Sequence, residues 1–152
     1  VIYKLHQIQV VPAALDEVFQ FFSAPSNLEA ITPPTLGFTI ITPPPIVMIR
    51  GTLIDYALSV HGLPMRWTTL ITEYDPPHCF VDVQLRGPYS YWHHRHRFES
   101  VVNGTRIEDE VHYGMPFGPV GRVAHRLLVS RDLQRIFSHR REIIANKFGK
   151  CE

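Results

Sequence analysis

Ile- and Val-rich residues 2–11 alternate with polar ones until Pro12 stops them, and that period of two predicts a strand. Residues 16–23 (DEVFQFFS) change period and predict a short helix, with Asp16 and Glu17 in the first turn, where the helix dipole favours acids. Pro25 ends it. Ser26 can cap one further turn over 27–30 before Thr32-Pro33-Pro34 breaks the chain again. Residues 36–113 then read as strands at 36–42, 52–61, 65–74, 79–85, 91–101 and 105–113. Pro43-Pro44-Pro45, Gly62, Pro76-Pro77, Gly87-Pro88 and Asn103-Gly104 separate them. Pro119 opens a long final helix that runs to about Phe148, with Gly149 as its cap. Val120, Val123 and Leu127 share one face of that helix. Leu133, Phe137, Ile144 and Phe148 share another, so a bend or break is predicted near Ser130.

Short connections between consecutive strands favour sequential antiparallel pairing. A seven-stranded antiparallel sheet cannot bury its apolar face alone, and the last helix is the only large cover available. The order β-α-α-β6-α therefore predicts an α+β fold, a curved sheet around one long helix, with two short helices closing an end. Any space left between sheet and helix is either packed shut or holds a ligand.

With 152 residues the chain is expected to form one domain over 1–152, large enough for a core without metal or disulfide staples. Apolar residues at 45% and charged ones at 19% exclude a disordered chain. The longest apolar runs have about four residues, as at Ile46 to Ile49, too short to span a bilayer. The start, Val1-Ile2-Tyr3-Lys4, has no signal-peptide pattern, and Cys79 and Cys151 make no disulfide framework, so a reducing, cytoplasmic location is expected. A net charge of +1 argues against a nucleic-acid partner. It hides an asymmetry, because residues 120–152 hold eight Lys and Arg against three Asp and Glu. Arg122, Arg126, Arg140 and Lys147 fall in one helical sector; facing outward, that sector would suit an anionic membrane or partner.

Candidate chemistry concentrates in residues 91–113. Asn103-Gly104 is the strongest short hairpin signal and predicts a type I′ turn, with Val102 facing Thr105. That register sets Phe98 across from Asp109, His96 from Val111 and His94 from Tyr113 on one face. His93, Arg95, Arg97 and Glu99 then oppose His112, Glu110 and Glu108 on the solvent face, with Arg97 against Glu110. Asp82 and Gln84 are expected on that solvent face, since Val81, Val83 and Leu85 claim the apolar side. Trp92, His94, His96, Phe98, Asp109, Val111 and Tyr113 face the helix, joined by Phe38, Tyr56, Leu58, Trp67 and Ile71.

Two histidines and a carboxylate on an apolar wall need partners, because unpaired buried polar groups are costly. They can satisfy one another, His96 using Asp109 on the diagonal and Tyr113 capping His94. The same donors can orient an apolar ligand. His94, His96 and Asp109 also imitate a two-His-one-carboxylate metal triad, although residues i and i+2 of a strand lie about 7 Å apart. General acid–base catalysis by an imidazole that Asp109 orients is the fourth reading.

Several stretches in order along the chain carry a resemblance. They are Asn27-Leu28, Ile31-Thr32-Pro33-Pro34, Gly51 with Asp55-Tyr56, Phe80-Val81-Asp82, Gln84 and Gly87-Pro88-Tyr89. Trp92, His94, His96, Phe98, Asp109, Val111, Tyr113, Pro116, Gly118, Gly121, Ile136-Phe137 and Arg140 continue it. Over nearly its whole length the sequence resembles the SRPBCC superfamily, the START-like or Bet v 1-like helix-grip proteins, and within it the small bacterial ligand-binding members. The resemblance implies a hydrophobic cavity; relatives bind lipids, sterols, hormones or polyketides, and a minority act as cyclases or aromatases. The expected function is binding of such a molecule, as carrier or store, by Tyr56, Trp67, Trp92, His94, His96, Phe98, Asp109 and Tyr113, with no cofactor and no resident metal. A cyclase or aromatase using His94, His96 and Asp109 is the enzymatic alternative. An interaction module docking through the basic helix is the other.

Overall fold

The computed structural model describes residues 1–151. Its strands are β1 (Ile2–Val11), β2 (Thr39–Ile40), β3 (Leu53–Val60), β4 (Leu63–Asp75), β5 (Cys79–Arg86), β6 (Tyr91–Val101) and β7 (Gly104–Gly114). They form one antiparallel sheet in the order β1-β7-β6-β5-β4-β3-β2, so β2 to β7 follow sequence order and β1 adds to the far edge. Helices α1 (Leu15–Ser23) and α2 (Ser26–Ala30) follow β1. The C-terminal helix comprises α3 (Gly118–Ala124), a π-helical turn over His125–Val129, and α4 (Ser130–Phe148). This is the helix-grip α+β architecture. Among the described residues, no helix is long and apolar enough to cross a membrane.

The predicted break near Ser130 is that π-turn. A π-turn inserts an extra residue into the helical repeat and rotates the next face by roughly 100° without ending the helix. Downstream, Leu133, Phe137 and Ile144 are buried; upstream, Val120 and Val123 stand in solvent, as does Leu127 within the turn. Register shifts at Thr68/Thr69 and Ile71/Glu73 bend β4, the long strand over which the sheet curls. On the concave face of β1, Gln9 donates to the Arg141 carbonyl (2.9 Å) and Arg141 Nη1 returns a bond to the Ile8 carbonyl (2.7 Å), fastening sheet edge to helix.

The expected strand over 36–42 shrinks to Thr39–Ile40, because Pro34–Leu36 form a 3-10 turn ended by Gly37 in the left-handed region. The β6–β7 hairpin also differs. Val101 pairs with Gly104, so Val102 and Asn103 form the turn and only Asn103 has positive φ. Gly104 lies in the strand, where a Cβ would sit 2.1 Å from the Val11 carbonyl oxygen, so this glycine permits close approach of β1 and not a turn. Positive φ at both central residues occurs instead at His61-Gly62, between β3 and β4. The corrected register sets Phe98 against Ile107, His96 against Asp109, His94 against Val111, and Arg97 against Glu108. The shift spans two residues, an even number, so each side chain keeps the face its sequence pattern assigns.

Candidate functional site

Between the concave face and the C-terminal helix lies a cavity of about 790 Å³. Tyr56 and Leu58 from β3, Trp67 from β4, Trp92 from β6 and Leu133 and Phe137 from α4 supply much of its apolar wall. Trp67 meets Trp92 edge-on, with ring centroids 5.2 Å apart, and Tyr89 completes the aromatic group. Burial pushes the Tyr56 and Tyr89 hydroxyls up, so both stay protonated across the physiological range.

One polar cluster interrupts that wall. His94 and His96 occupy alternate positions of β6, and strand curvature stacks their rings at 3.7 Å between centroids. His94 Nε2–H donates to Asp109 Oδ1 at 2.8 Å, and His96 Nε2–H donates to Asp82 Oδ2 at 2.6 Å, since ionised carboxylates only accept. Arg140 reaches in from α4, with Nη2 3.1 Å from Asp109 Oδ1 and 3.4 Å from His96 Nδ1. Its guanidinium lies over the Phe22 ring at 5.0 Å, and its Nε is buried without a hydrogen-bond partner among the described residues.

Burial alone would raise both carboxyls. For Asp109, the Arg140 charge and the His94 hydrogen bond outweigh that and hold it well below the usual carboxylate range. For Asp82, the neighbouring His94 and the hydrogen bond from His96 do the same. His96 is driven the other way: burial first, then the neighbouring His94, push it down to about 4 and keep it neutral. The cluster thus pairs two ionised carboxylates with one guanidinium, and the Asp82 carboxylate faces the cavity.

Of the residues singled out in the sequence, Tyr56, Trp67, Trp92, His94 and His96 line the cavity, as do Phe38, Leu58 and Ile71. Asp109 stands behind the histidines. Phe98 lies 5.3 Å from both Phe19 and Phe22, in the solid core at the other end of the sheet. Tyr113 does not cap His94; its hydroxyl shares a 2.7 Å hydrogen bond with His125 in the π-turn. Asp82 is not on the solvent face, because β5 pairs it with His94 and so turns it inward together with Phe80. Gln84, on the same face as Asp82, bonds the Tyr89 backbone at 2.8 Å and is not a free surface group. Arg140 leaves the supposed basic stripe altogether and is 6% exposed, whereas Arg122, Arg126 and Lys147 are exposed. Asp82 and Arg140 are the two functional candidates that sequence reasoning missed. Phe80-Val81-Asp82 carried a signal for one: its only aromatic, Phe80, shares a face with Asp82.

A model of the family described as "Polyketide cyclase / dehydrase and lipid transport" matches residues 11–137. The chain belongs to this family. No curated protein matches it. Among solved structures, protein CV1439 from Chromobacterium violaceum superimposes with a TM-score of 0.75 at 11% identity, over 98% of this chain and 99% of that one. The Zhui aromatase/cyclase from Streptomyces sp. R1128 gives 0.68 at 13% identity, over 95% of each chain. Ginseng major latex-like protein 151 from Panax ginseng gives 0.58 at 15% identity, over 88% of this chain and 96% of that one. At such identities the likeness carries the fold alone.

Proposed function

We propose that this family member binds a hydrophobic small molecule of the lipid, sterol or polyketide type inside its cavity and carries or stores it. The observation that supports this most is the volume of about 790 Å³ held open beside a well-packed core. Pockets that enclose drug-sized ligands span about 300–1,000 Å³. Tyr56, Trp67 and Trp92 would contact the apolar body. His94, His96 and Asp82 would orient a polar group on it, with Asp109 and Arg140 holding the imidazoles in place. Burying ~300 Å² of apolar ligand surface is worth roughly 7 kcal/mol before association costs, so micromolar binding also draws on a larger buried area and on the polar contacts. A cytoplasmic site of action fits the two free cysteines, Cys79 and Cys151. Native mass spectrometry of the protein from its host, followed by extraction, should yield one apolar molecule per chain. A mass equal to the bare polypeptide, with no internal site for an apolar fluorescent dye, would overturn the reading.

The cyclase or aromatase alternative uses the same cavity, and His96→Gln separates the two. A binder loses a few-fold in affinity, while acid–base catalysis loses 10²- to 10⁴-fold in rate.

A second observation favours a route of loading. Phe117, Val120, Val123 and Leu127 are exposed at 82, 71, 58 and 59% beside exposed Arg122 and Arg126, and Phe117 and Val120 also line the cavity. An apolar ridge with flanking cations suits the surface of an anionic bilayer. Binding to phosphatidylserine vesicles should fall with added salt and with Phe117→Ser; binding indifferent to both would sink it.

A further inference from the structure

The Asp82–His94–His96 group has a geometry that hydrogen bonding alone does not use. Asp82 faces His94 directly across the β5–β6 pair and His96 on the diagonal, so both rings turn a nitrogen towards one oxygen, Asp82 Oδ2. His96 Nε2 is 2.6 Å from it and His94 Nδ1 is 3.8 Å. The three potential ligand atoms all lie within 4.8 Å of one another. His94 already donates its other nitrogen to Asp109, so its Nδ1 carries a lone pair, and 3.8 Å is beyond hydrogen-bond distance.

We infer that Asp82, His94 and His96 form a binding site for a divalent transition-metal ion such as Zn²⁺ or Co²⁺. Ligand atoms 2.0–2.2 Å from one ion stand roughly 3.0–3.4 Å apart, a spacing that the 2.6 and 3.8 Å separations to Asp82 bracket; the two imidazole nitrogens, within 4.8 Å of each other, would close on the ion by ring rotation. Behind the rings, Asp109 Oδ1 is 2.8 Å from His94 Nε2 and 3.4 Å from His96 Nδ1. One carboxylate can therefore orient both imidazoles, the usual outer support of metal-bound histidine. His96 would move its proton from Nε2 to Nδ1, towards Asp109 and in place of the hydrogen bond that Nδ1 accepts from Arg140 Nη2, and no charge would change. Arg140 at 3.1 Å balances Asp109, which leaves the Asp82 carboxylate as the charge that attracts a cation. Two imidazoles with a single carboxylate favour Zn²⁺, Co²⁺ or Fe²⁺ over the oxygen-seeking Mg²⁺ and Ca²⁺. Because the three residues line the cavity, coordination positions that the protein leaves vacant open onto it, where an oxygen of a bound ligand can reach.

The test uses the full chain stripped with EDTA and titrated with Co²⁺ alone, read by calorimetry and by the visible ligand-field bands of the ion. One Co²⁺ per chain is expected, displaced by Zn²⁺ and not by Mg²⁺. Asp82→Asn and His96→Gln should each weaken binding at least about 100-fold, and Asp109→Asn about 10- to 100-fold as an orienting group. The double variant His93→Gln/His112→Gln removes a facing pair on the convex side and should change nothing. Absence of ligand-field bands in the wild-type chain overturns the site. So does binding that survives Asp82→Asn but disappears in the convex-face variant. Apolar-dye binding by the stripped chain reports on the cavity separately, so either conclusion can fail without the other.

Discussion

The two ends of the concave face are built from the same sheet and covered by the same helix, yet one is solid and the other hollow. At the closed end α1 inserts Phe19 edge-on to Phe80 and Phe98, at 6.0 and 5.3 Å, and Val11, Ile107 and Ile144 complete a core without exposed members. Among the described residues, no such helix inserts at the other end. After Ile31 the chain turns through Pro33-Pro34 into a 3-10 turn and the two-residue β2, so Tyr56, Leu58 and Trp67 line the cavity and are not covered by a packed helix. The polar cluster occupies the divide: Phe80 of the closed end stacks on His96 at 4.0 Å, and Trp92 of the open end meets His94 edge-on at 6.3 Å. The contrast teaches that this protein obtains stability and capacity from separate halves of one layer pair. Buried charge at the boundary holds water-seeking groups where a ligand can find them.

The strongest way to break that contrast is to remove the charge balance at the divide. Arg140→Met leaves Asp109 buried without its cation and should destabilise the protein by about 3–5 kcal/mol, read as a lower urea midpoint at unchanged slope. An unchanged midpoint would mean that solvent reaches Asp109. Next comes a paired truncation. Phe19→Ala at the closed end should cost roughly 3–4 kcal/mol, because it opens a void in packed core. Leu58→Ala on the cavity wall should cost about 1 kcal/mol or less while weakening apolar-dye binding several-fold. Equal losses at both positions would erase the distinction between the ends.

Acid should act at the divide before it acts elsewhere. His96 titrates near 4 in the folded chain and near 6.5 unfolded, so the unfolded state binds the extra proton between those values. Stability from this group is complete above pH 6.5 and falls on acidification, by up to about 3 kcal/mol at pH 4. Below the ordinary carboxylate value of 3.8, Asp82 and Asp109 add to the loss, since both are depressed in the fold. Denaturation of the metal-free chain at pH 7, 5 and 4 checks this, and a flat profile would contradict it. The smallest effect concerns the mouth. His61 at the β3–β4 turn bonds Asp132 on α4 at 2.8 Å, and both line the cavity. His61→Ala should change stability by under about 1 kcal/mol and speed dye release in stopped flow; slower release would show that the contact does not gate entry.

Much of this architecture was legible along the chain because it depends on local period. Alternation placed Trp92, His94 and His96 on the inner face, and it did so even though the hairpin register was two residues out. The π-turn showed itself as a phase change between Leu127 and Leu133. What periodicity could not supply was the partner of each buried polar group. Asp82 looked outward because Val81 and Val83 outweighed it in hydrophobicity, and only pairing with β6 turned it in. Arg140 shares its helical sector with exposed cations, and nothing in its spacing shows that this position alone meets Asp109.

By itself, then, the order of apolar and polar residues determined the seven strands, the gripping helix and the side of the sheet on which the histidines lie. Each of those depends on repeats of two or 3.6 residues within a segment. Tertiary structure alone decided which carboxylate each imidazole meets, that Arg140 is buried, and that the half-layer beyond α1 stays hollow. Those outcomes depend on distances between segments far apart in the chain, which no local period records.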